Sequence, residues 1–314
     1  MGFPLSPQCL VLYLVLLQVS FANVCWGSRK LAALYQPPPM VAKYHKGLLL
    51  DGDLRVSVIW YGKFTPAQKS IISDFLLSLT PQQTQHQSPS SVPSAAKWWG
   101  TVQTYLQKAG KKQSRVALAS QFDDESCSMG KLLKRTQITE LAQKLSSGPG
   151  AGELALVLTA QDVAVEGFCV SGCGTHGSVG RRPFIWVGNS ATQCPGQCAW
   201  PFHQPIYGPQ SPPLGAPNGD VGADGMVINV ASLLAGTVTN PFGNGYSVGA
   251  AGAPTDVASA CTGSFGKGSY PGYAGELLVD SGTGGSYNAQ GVNGRKYLLP
   301  ALFDPTTSQC STMV

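Results

Sequence analysis

Between Cys169 and Gly208 the chain gathers four of its nine cysteines and two of its four histidines. The order is Cys169-x-x-x-Cys173-Gly174-Thr175-His176, the apolar run Phe184-Ile185-Trp186-Val187, then Cys194-x-x-x-Cys198 and Trp200-Pro201-Phe202-His203. Two chemistries use such a set. Where thiols oxidise, the sulfurs pair as structural disulfides. Where they stay reduced, thiolates and imidazoles are soft ligands, and a tetrahedral zinc site needs only about four of them. Thiolate zinc sites are uncommon in disulfide-forming compartments, so bridges among Cys169, Cys173, Cys194, Cys198, Cys261 and Cys310 are the preferred reading. Spacing permits Cys169–Cys173 and Cys194–Cys198 as local loops and equally permits cross-pairing. The expectation adopted is local pairs plus Cys261–Cys310, with Cys127 as a free thiol. No metal site is favoured and no cofactor is expected. If a metal binds, His176 and His203 are the candidates, although hydrogen-bonded structural roles are commoner for two such histidines.

Other catalytic patterns are weak. Asp123-Asp124-Glu125 resembles an acid/base or metal cluster, but neighbours in extended chain point to alternate faces, so a polar strand end is expected. Glu153, Asp162, Glu166 and Glu276 are available as a glycosidase pair, and nothing in their spacing selects two. Gly263-Ser264-Phe265-Gly266-Lys267 departs from phosphate-loop spacing.

The segments Cys169 to Ser178, Gly188-Asn189-Ser190, Cys194-Pro195-Gly196-Gln197-Cys198-Ala199-Trp200-Pro201-Phe202-His203-Gln204-Pro205 and Gly294-Arg295-Lys296-Tyr297-Leu298-Leu299-Pro300-Ala301-Leu302-Phe303-Asp304-Pro305 resemble the plant EXORDIUM, or phosphate-induced protein, family. The resemblance covers nearly all of the chain after the leader. It implies a secreted protein of the apoplast or cell wall, linked to growth and nutrient responses, and it implies no particular reaction. The six cysteines of the disulfide set are also those that match the family pattern.

The compartment is legible independently. Leu10 to Val19 is an apolar run too short to span a bilayer and followed by small residues, the build of a cleaved signal peptide. Cleavage after Ala22 retains Cys25; cleavage after Gly27 removes it. Residues 1–27 are therefore read as signal peptide, 28–47 as a Pro-rich lead-in, and 48–314 as a single domain. No later run is expected to span a membrane, and no N-glycosylation acceptor is present. With 43% hydrophobic residues the chain can bury a sizeable core, while 12% charged residues, 38 Gly and 23 Pro predict many loops. The net charge of +5 is spread through Lys108 to Arg115, Lys131 to Arg135, Arg181-Arg182 and Arg295-Lys296, read as solvated surface rather than a nucleic-acid site.

The elements that must position these residues follow from periodicity. Leu48 to Phe64 reads as a buried strand, and Thr65-Pro66 opens a helix whose Ile71, Ile72, Phe75, Leu76 and Leu79 share a face. Ala95 to Ala109 predicts a helix whose Trp98, Trp99 and Tyr105 are core rather than a sugar platform. Arg115 to Phe122 is a strand, Thr136 to Leu145 a helix, and Glu153 to Phe168 a long central strand. Asp224 is expected to cap an apolar helix from Met226 to Val238, and irregular loops are expected from Gly243 onward. The fold class is α/β: a mixed, mostly parallel sheet flanked by helices, with a disulfide-stapled, loop-rich C-terminal part. The layout of strands, an edge strand at Phe184 to Val187 and a following helix also suggests a degenerate zincin-like arrangement. Its helix lacks the His-Glu-x-x-His motif.

The function favoured is non-catalytic binding in the wall space, to a wall polysaccharide or receptor protein. The alternative is a metal-dependent or glycoside hydrolase of the wall, using His176 and His203 or an acid pair.

Overall fold

The computed structural model describes residues 40–80, 92–145, 152–170, 172–249 and 254–314. The expected leader, most of the lead-in (to 39), and 81–91 of the loop after the first helix lie outside the described residues.

Strands β1 (Lys43–Tyr44), β2 (Gly52–Tyr61), β3 (Ser114–Asp124), β4 (Leu132–Leu133), β5 (Glu153–Thr159), β6 (Ala164–Val165), β7 (Gly174–Val179), β8 (Arg182–Gly188), β9 (Tyr246–Val248) and β10 (Thr255–Asp256) are interspersed with helices. The helices are α1 (Pro66–Ser78), α2 (Ala95–Lys108), α3 (Arg135–Leu145), α4 (Pro195–Cys198) and α5 (Val221–Thr239). Further short strands run from Leu278 to Ser311. A five-stranded sheet has the order β3-β2-β5-β8-β7, with β2/β3, β2/β5 and β5/β8 parallel and β7/β8 antiparallel. Apart from β4/β6, the described strand pairs outside it are antiparallel. The architecture is thus mixed α/β with several sheets.

The three central strands are covered on both faces, which is why their residues are apolar almost without alternation: Leu156, Val157 and Leu158 in β5 and Ile185, Trp186 and Val187 in β8 are all buried. Helix α1 opens with a capping box, in which Gln68 N–H donates to Thr65 Oγ1 and Thr65 N–H to Gln68 Oε1, with Pro66 at the first turn. In α2, Trp98 and Trp99 are buried, and their indole N–H groups donate to the carbonyls of Pro300 (2.7 Å) and Ser114 (3.1 Å). The stripe is core, with its polar handles satisfied.

Several expectations shift. β5 ends at Thr159 rather than Phe168, because Gln161 and Asp162 are polar and cannot continue in a strand buried on both faces; Asp162 instead pairs with Lys131. The edge of the sheet is β7, so Phe184 to Val187 lies one strand inside it. Part of the lead-in is built into the fold, since β1 pairs with β9. Beyond Gly243 the chain forms short ladders, not only loops.

The long apolar helix starts earlier than expected. Asp220, not Asp224, accepts Ala223 N–H at 2.9 Å and caps α5, leaving Asp224 buried in the first turn. Starting at Val221 makes α5 long and apolar enough, by length and composition alone, to cross a membrane. Most of its surface is nevertheless covered by β7, β8, α1, α2 and α4, as in the core helix of a globular domain.

The basic pair Arg295-Lys296 is also not solvated surface. Arg295 Nε donates to Asp74 Oδ2 at 3.0 Å, its Nη2 to Ser70 Oγ at 2.6 Å, and Lys296 pairs with Asp280. Asn293 Nδ2 completes the set on Asp74 Oδ1 at 2.9 Å, so this segment clamps α1 from outside. Asp74 is buried, and removing its cation leaves a desolvated carboxylate. We expect Arg295→Ala to lower unfolding stability by about 2–3 kcal/mol, less than a fully buried pair because the guanidinium is part-exposed. The urea midpoint measures it, and no shift would contradict the assignment.

Candidate functional site: a double disulfide clamp and a half-buried histidine pair

The hairpin of β7 and β8 folds the chain back so that Cys173, immediately before β7, lies beside the end of β8; Gly188 N–H donates to Cys173 O at 3.3 Å. The chain then reaches α4, a single turn in which Cys194 and Cys198 stand four residues apart and project to one side. Their sulfurs, 3.6 Å apart, meet those of the upstream pair. The bridges are Cys169–Cys194 and Cys173–Cys198, with Cα separations of 5.9 and 5.3 Å.

The local pairs expected from spacing are therefore corrected to cross-pairs. The physical reason is the helical turn, which aims Cys194 and Cys198 in parallel and not at each other. Cys261 joins Cys310. Cys127 is a free thiol and buried, and burial raises its pKa, so it is a poor nucleophile there.

The clamp is fastened to α5. Asn229 Nδ2 donates to Cys198 O and Gly225 O, each at 2.8 Å. Helix and clamp approach so closely at Gly225 that a Cβ there would lie 2.7 Å from the Ala199 Cβ. Glycine is required at that position by packing.

The two candidate histidines are not brought together into one site. His203 is exposed, with Nδ1 3.0 Å from its neighbour's carbonyl at Gln204. His176, on β7, places Nε2 2.6 Å from Asp256 Oδ2. Asp256 Oδ1 in turn accepts Asn240 Nδ2 at 2.6 Å, and Asn240 Oδ1 accepts Gly245 N–H at 2.8 Å. The chain of hydrogen bonds ties the edge strand, the C-terminal end of α5 and β10. Nε2–H donating to the carboxylate leaves His176 Nδ1 as the acceptor nitrogen, and it is buried without a partner.

This pair resembles the orienting half of a catalytic dyad, yet the nitrogen that would handle a substrate proton is sealed from solvent. Among the described residues no group of three or more His, Cys, Asp or Glu side chains is arranged so that it could hold a metal ion.

The acidic candidates are dispersed. Asp123 holds Lys69 at 2.5 Å, Asp124 accepts from Ser126 and from Ser128, and Glu166 accepts Arg135 N–H at 3.2 Å. Glu153 begins β5, and Glu276 N–H donates to Lys267 O. No two of these carboxylates face one another across a hydrogen-bonded contact.

Two residues of this site escaped the sequence reading. Asp256 was passed over inside a segment read as loop, although it is the one carboxylate between Asp224 and Glu276. Asn240 lies just beyond the helix expected to end at Val238, where nothing in the spacing marks it as a site residue.

A family model described as the phosphate-induced protein 1 conserved region matches residues 42–313. The chain is 58% identical over 312 residues to Protein PHOSPHATE-INDUCED 1 of Nicotiana tabacum, covering 95% of this chain and 96% of that protein. It is 56% identical over 320 residues to Protein EXORDIUM of Arabidopsis thaliana, covering 97% and 98%. Identity to Protein EXORDIUM-like 6 of Arabidopsis thaliana is 31% over 301 residues, covering 83% and 89%. No solved structure matches. With that breadth of match, from β1 to the final strand, the chain belongs to the phosphate-induced protein 1 family, together with the EXORDIUM proteins.

Proposed function

We propose that the protein is exported and works in the plant cell-wall space as a binding protein in growth and nutrient responses, without turning over a substrate of its own. The observation that carries the non-catalytic reading is the state of His176: it has a carboxylate partner, but its remaining nitrogen, Nδ1, is buried in the folded chain rather than presented at the surface. Bridged sulfurs at Cys169, Cys173, Cys194 and Cys198 support an oxidising compartment and leave no thiolate there for metal or nucleophilic chemistry.

In this reading 1–27 is a leader cut after Ala22 or Gly27, 28–47 leads in, and 48–314 is one domain. The partner is a wall polysaccharide or a receptor protein, not nucleic acid. The edge strand β7 packed on α5 supports a layout like that of zinc peptidases. Helix α5 carries no histidine and one carboxylate, Asp224, so such a relative would lack the ligands and the base.

One preparation tests the proposal. Full-length protein made in plant cells is collected from the wall wash, its N-terminus sequenced, its thiols and zinc counted, and its action on wall polysaccharides followed by release of new reducing ends. The expected result is a processed, zinc-free protein with no more than the Cys127 thiol and any retained Cys25 thiol, releasing no ends. Retention inside the cell, stoichiometric zinc with free clamp thiols, or ends released by wild type but not by His176→Ala would each overturn it.

A further inference from the structure

Two adjoining cavities, of about 490 and 520 Å³, open against the clamp and share Gln197, Trp200, Thr262 and Gly263. Each is within the volume range of small-molecule sites. Their chemistry is specific in one respect: neither is lined by any Asp, Glu, Lys, Arg or His, in a chain whose net charge is +5. The lining is aromatic and neutral-polar instead. Tyr207 and Tyr270, 87% and 62% exposed, stand at the first cavity, and the Trp200 ring, 5.7 Å from that of Phe265, bridges both. The side chains of Gln197, Ser264 and Ser269 line the first cavity, and none of them makes a hydrogen bond to another of the described residues.

The walls are preorganised. The Cys173–Cys198 bridge and Cys261 of the Cys261–Cys310 bridge line the second cavity, so both sides of the groove are covalently fastened.

We infer that this groove binds a neutral pyranose oligosaccharide. Electron-rich indole and phenol faces suit the C–H faces of sugar rings, and unpaired amide and hydroxyl groups suit sugar hydroxyls. A charged polymer would find no counter-ion in the groove. The inference rests on the binding-protein reading and names its ligand class. Because no ion pairs are involved, binding is insensitive to salt, unlike capture of acidic wall polymer by scattered surface cations.

The test is calorimetric titration of the secreted, oxidised protein with cellohexaose, xylohexaose, mannohexaose and an oligogalacturonate, at about 0.05 and 0.5 M salt. At least one neutral hexasaccharide is expected to bind equally at both salts. Tyr207→Ala and Tyr270→Ala, at exposed rings whose removal leaves the core intact, should each weaken it about tenfold. Failure of every neutral chain to bind the folded protein overturns the inference. So does unchanged affinity in both tyrosine variants, or binding of oligogalacturonate alone that vanishes at the higher salt. Those failures leave the binding-protein reading standing. Shortening of a bound chain, seen by chromatography of the same mixture, would instead overturn that reading while leaving the groove as a sugar site.

Discussion

Replacing Cys169, Cys173, Cys194 and Cys198 together by Ser lowers the unfolding free energy by about 6 kcal/mol, whereas removing either bridge alone costs about 2.5–3. The reason is topological. Each bridge spans a sequence separation of 25, and closing such a loop in the unfolded chain is worth about 3.5 kcal/mol on the chain-entropy model. Once one bridge is present, the other closes only the small ring made by the two cysteine segments, about ten residues, for about 2.5–3 kcal/mol. The quadruple change therefore exceeds the sum of the two bridge removals. A loss of that size is a large share of the roughly 5–15 kcal/mol by which domains are stable. Urea midpoints for wild type, the two paired variants and the quadruple variant check it.

The pairing itself is checked by trypsin without reductant. Cleavage after Arg181 lies between the two cysteine segments, so cross-pairs hold the resulting peptides together until reduction, and local pairs release them at once. Release before reduction would refute the clamp.

The sequence exposed the clamp's members but not their partners, and the difference is instructive. That this set of cysteines oxidises is an expectation drawn from an apolar N-terminal run and from the family pattern, both one-dimensional. Which pair follows from the direction a helical turn gives to Cys194 and Cys198, and from the register of the β7–β8 hairpin, where Gly174 faces Val187. Neither is encoded in a spacing of four. The same limit explains the histidines. His176 was visible as a candidate, but its partner Asp256 lies 80 residues away, on a two-residue strand with no periodicity of its own. Core elements were far more legible, because burial repeats along the chain: the faces of α1 and α2 and the apolar runs of β2 and β8 sit where their patterns put them. Misplacement of the α5 cap shows where patterns mislead. Asp220 and Asp224 both precede apolar residues, and only the packed structure separates the half-buried cap from the fully buried carboxyl.

That buried carboxyl makes stability depend on pH in an unusual sense. Burial pushes Asp224 up to about 7, and it does so against two donations from Asn218, N–H to Oδ2 at 2.9 Å and Nδ2 to Oδ1 at 2.6 Å. In the unfolded chain the group titrates near 3.8. Between those values the folded protein holds a proton that the unfolded chain has lost, so stability falls as pH rises through the window and is fully present only below it. The largest possible change is about 4 kcal/mol, at about 1.4 kcal/mol per pKa unit.

Asp124, Asp162 and Asp280 are shifted in the opposite direction. Burial raises Asp124, but hydrogen bonds from Ser128 and Ser126 outweigh it; Lys131 and Lys296 hold the other two down. Their contribution is present above the usual carboxylate range and lost only as pH falls below it, leaving the window from about 4 to 7 to Asp224 among these acids. We therefore expect the wild-type urea midpoint to decline steadily from pH 4.5 to 7.5, and Asp224→Asn, which carries no proton to lose, to remove most of that slope. The slope is the readout, because one amide N–H of the variant must face an Asn218 donor and lower its stability at every pH. Equal slopes in the two proteins would show that the carboxyl is ionised throughout.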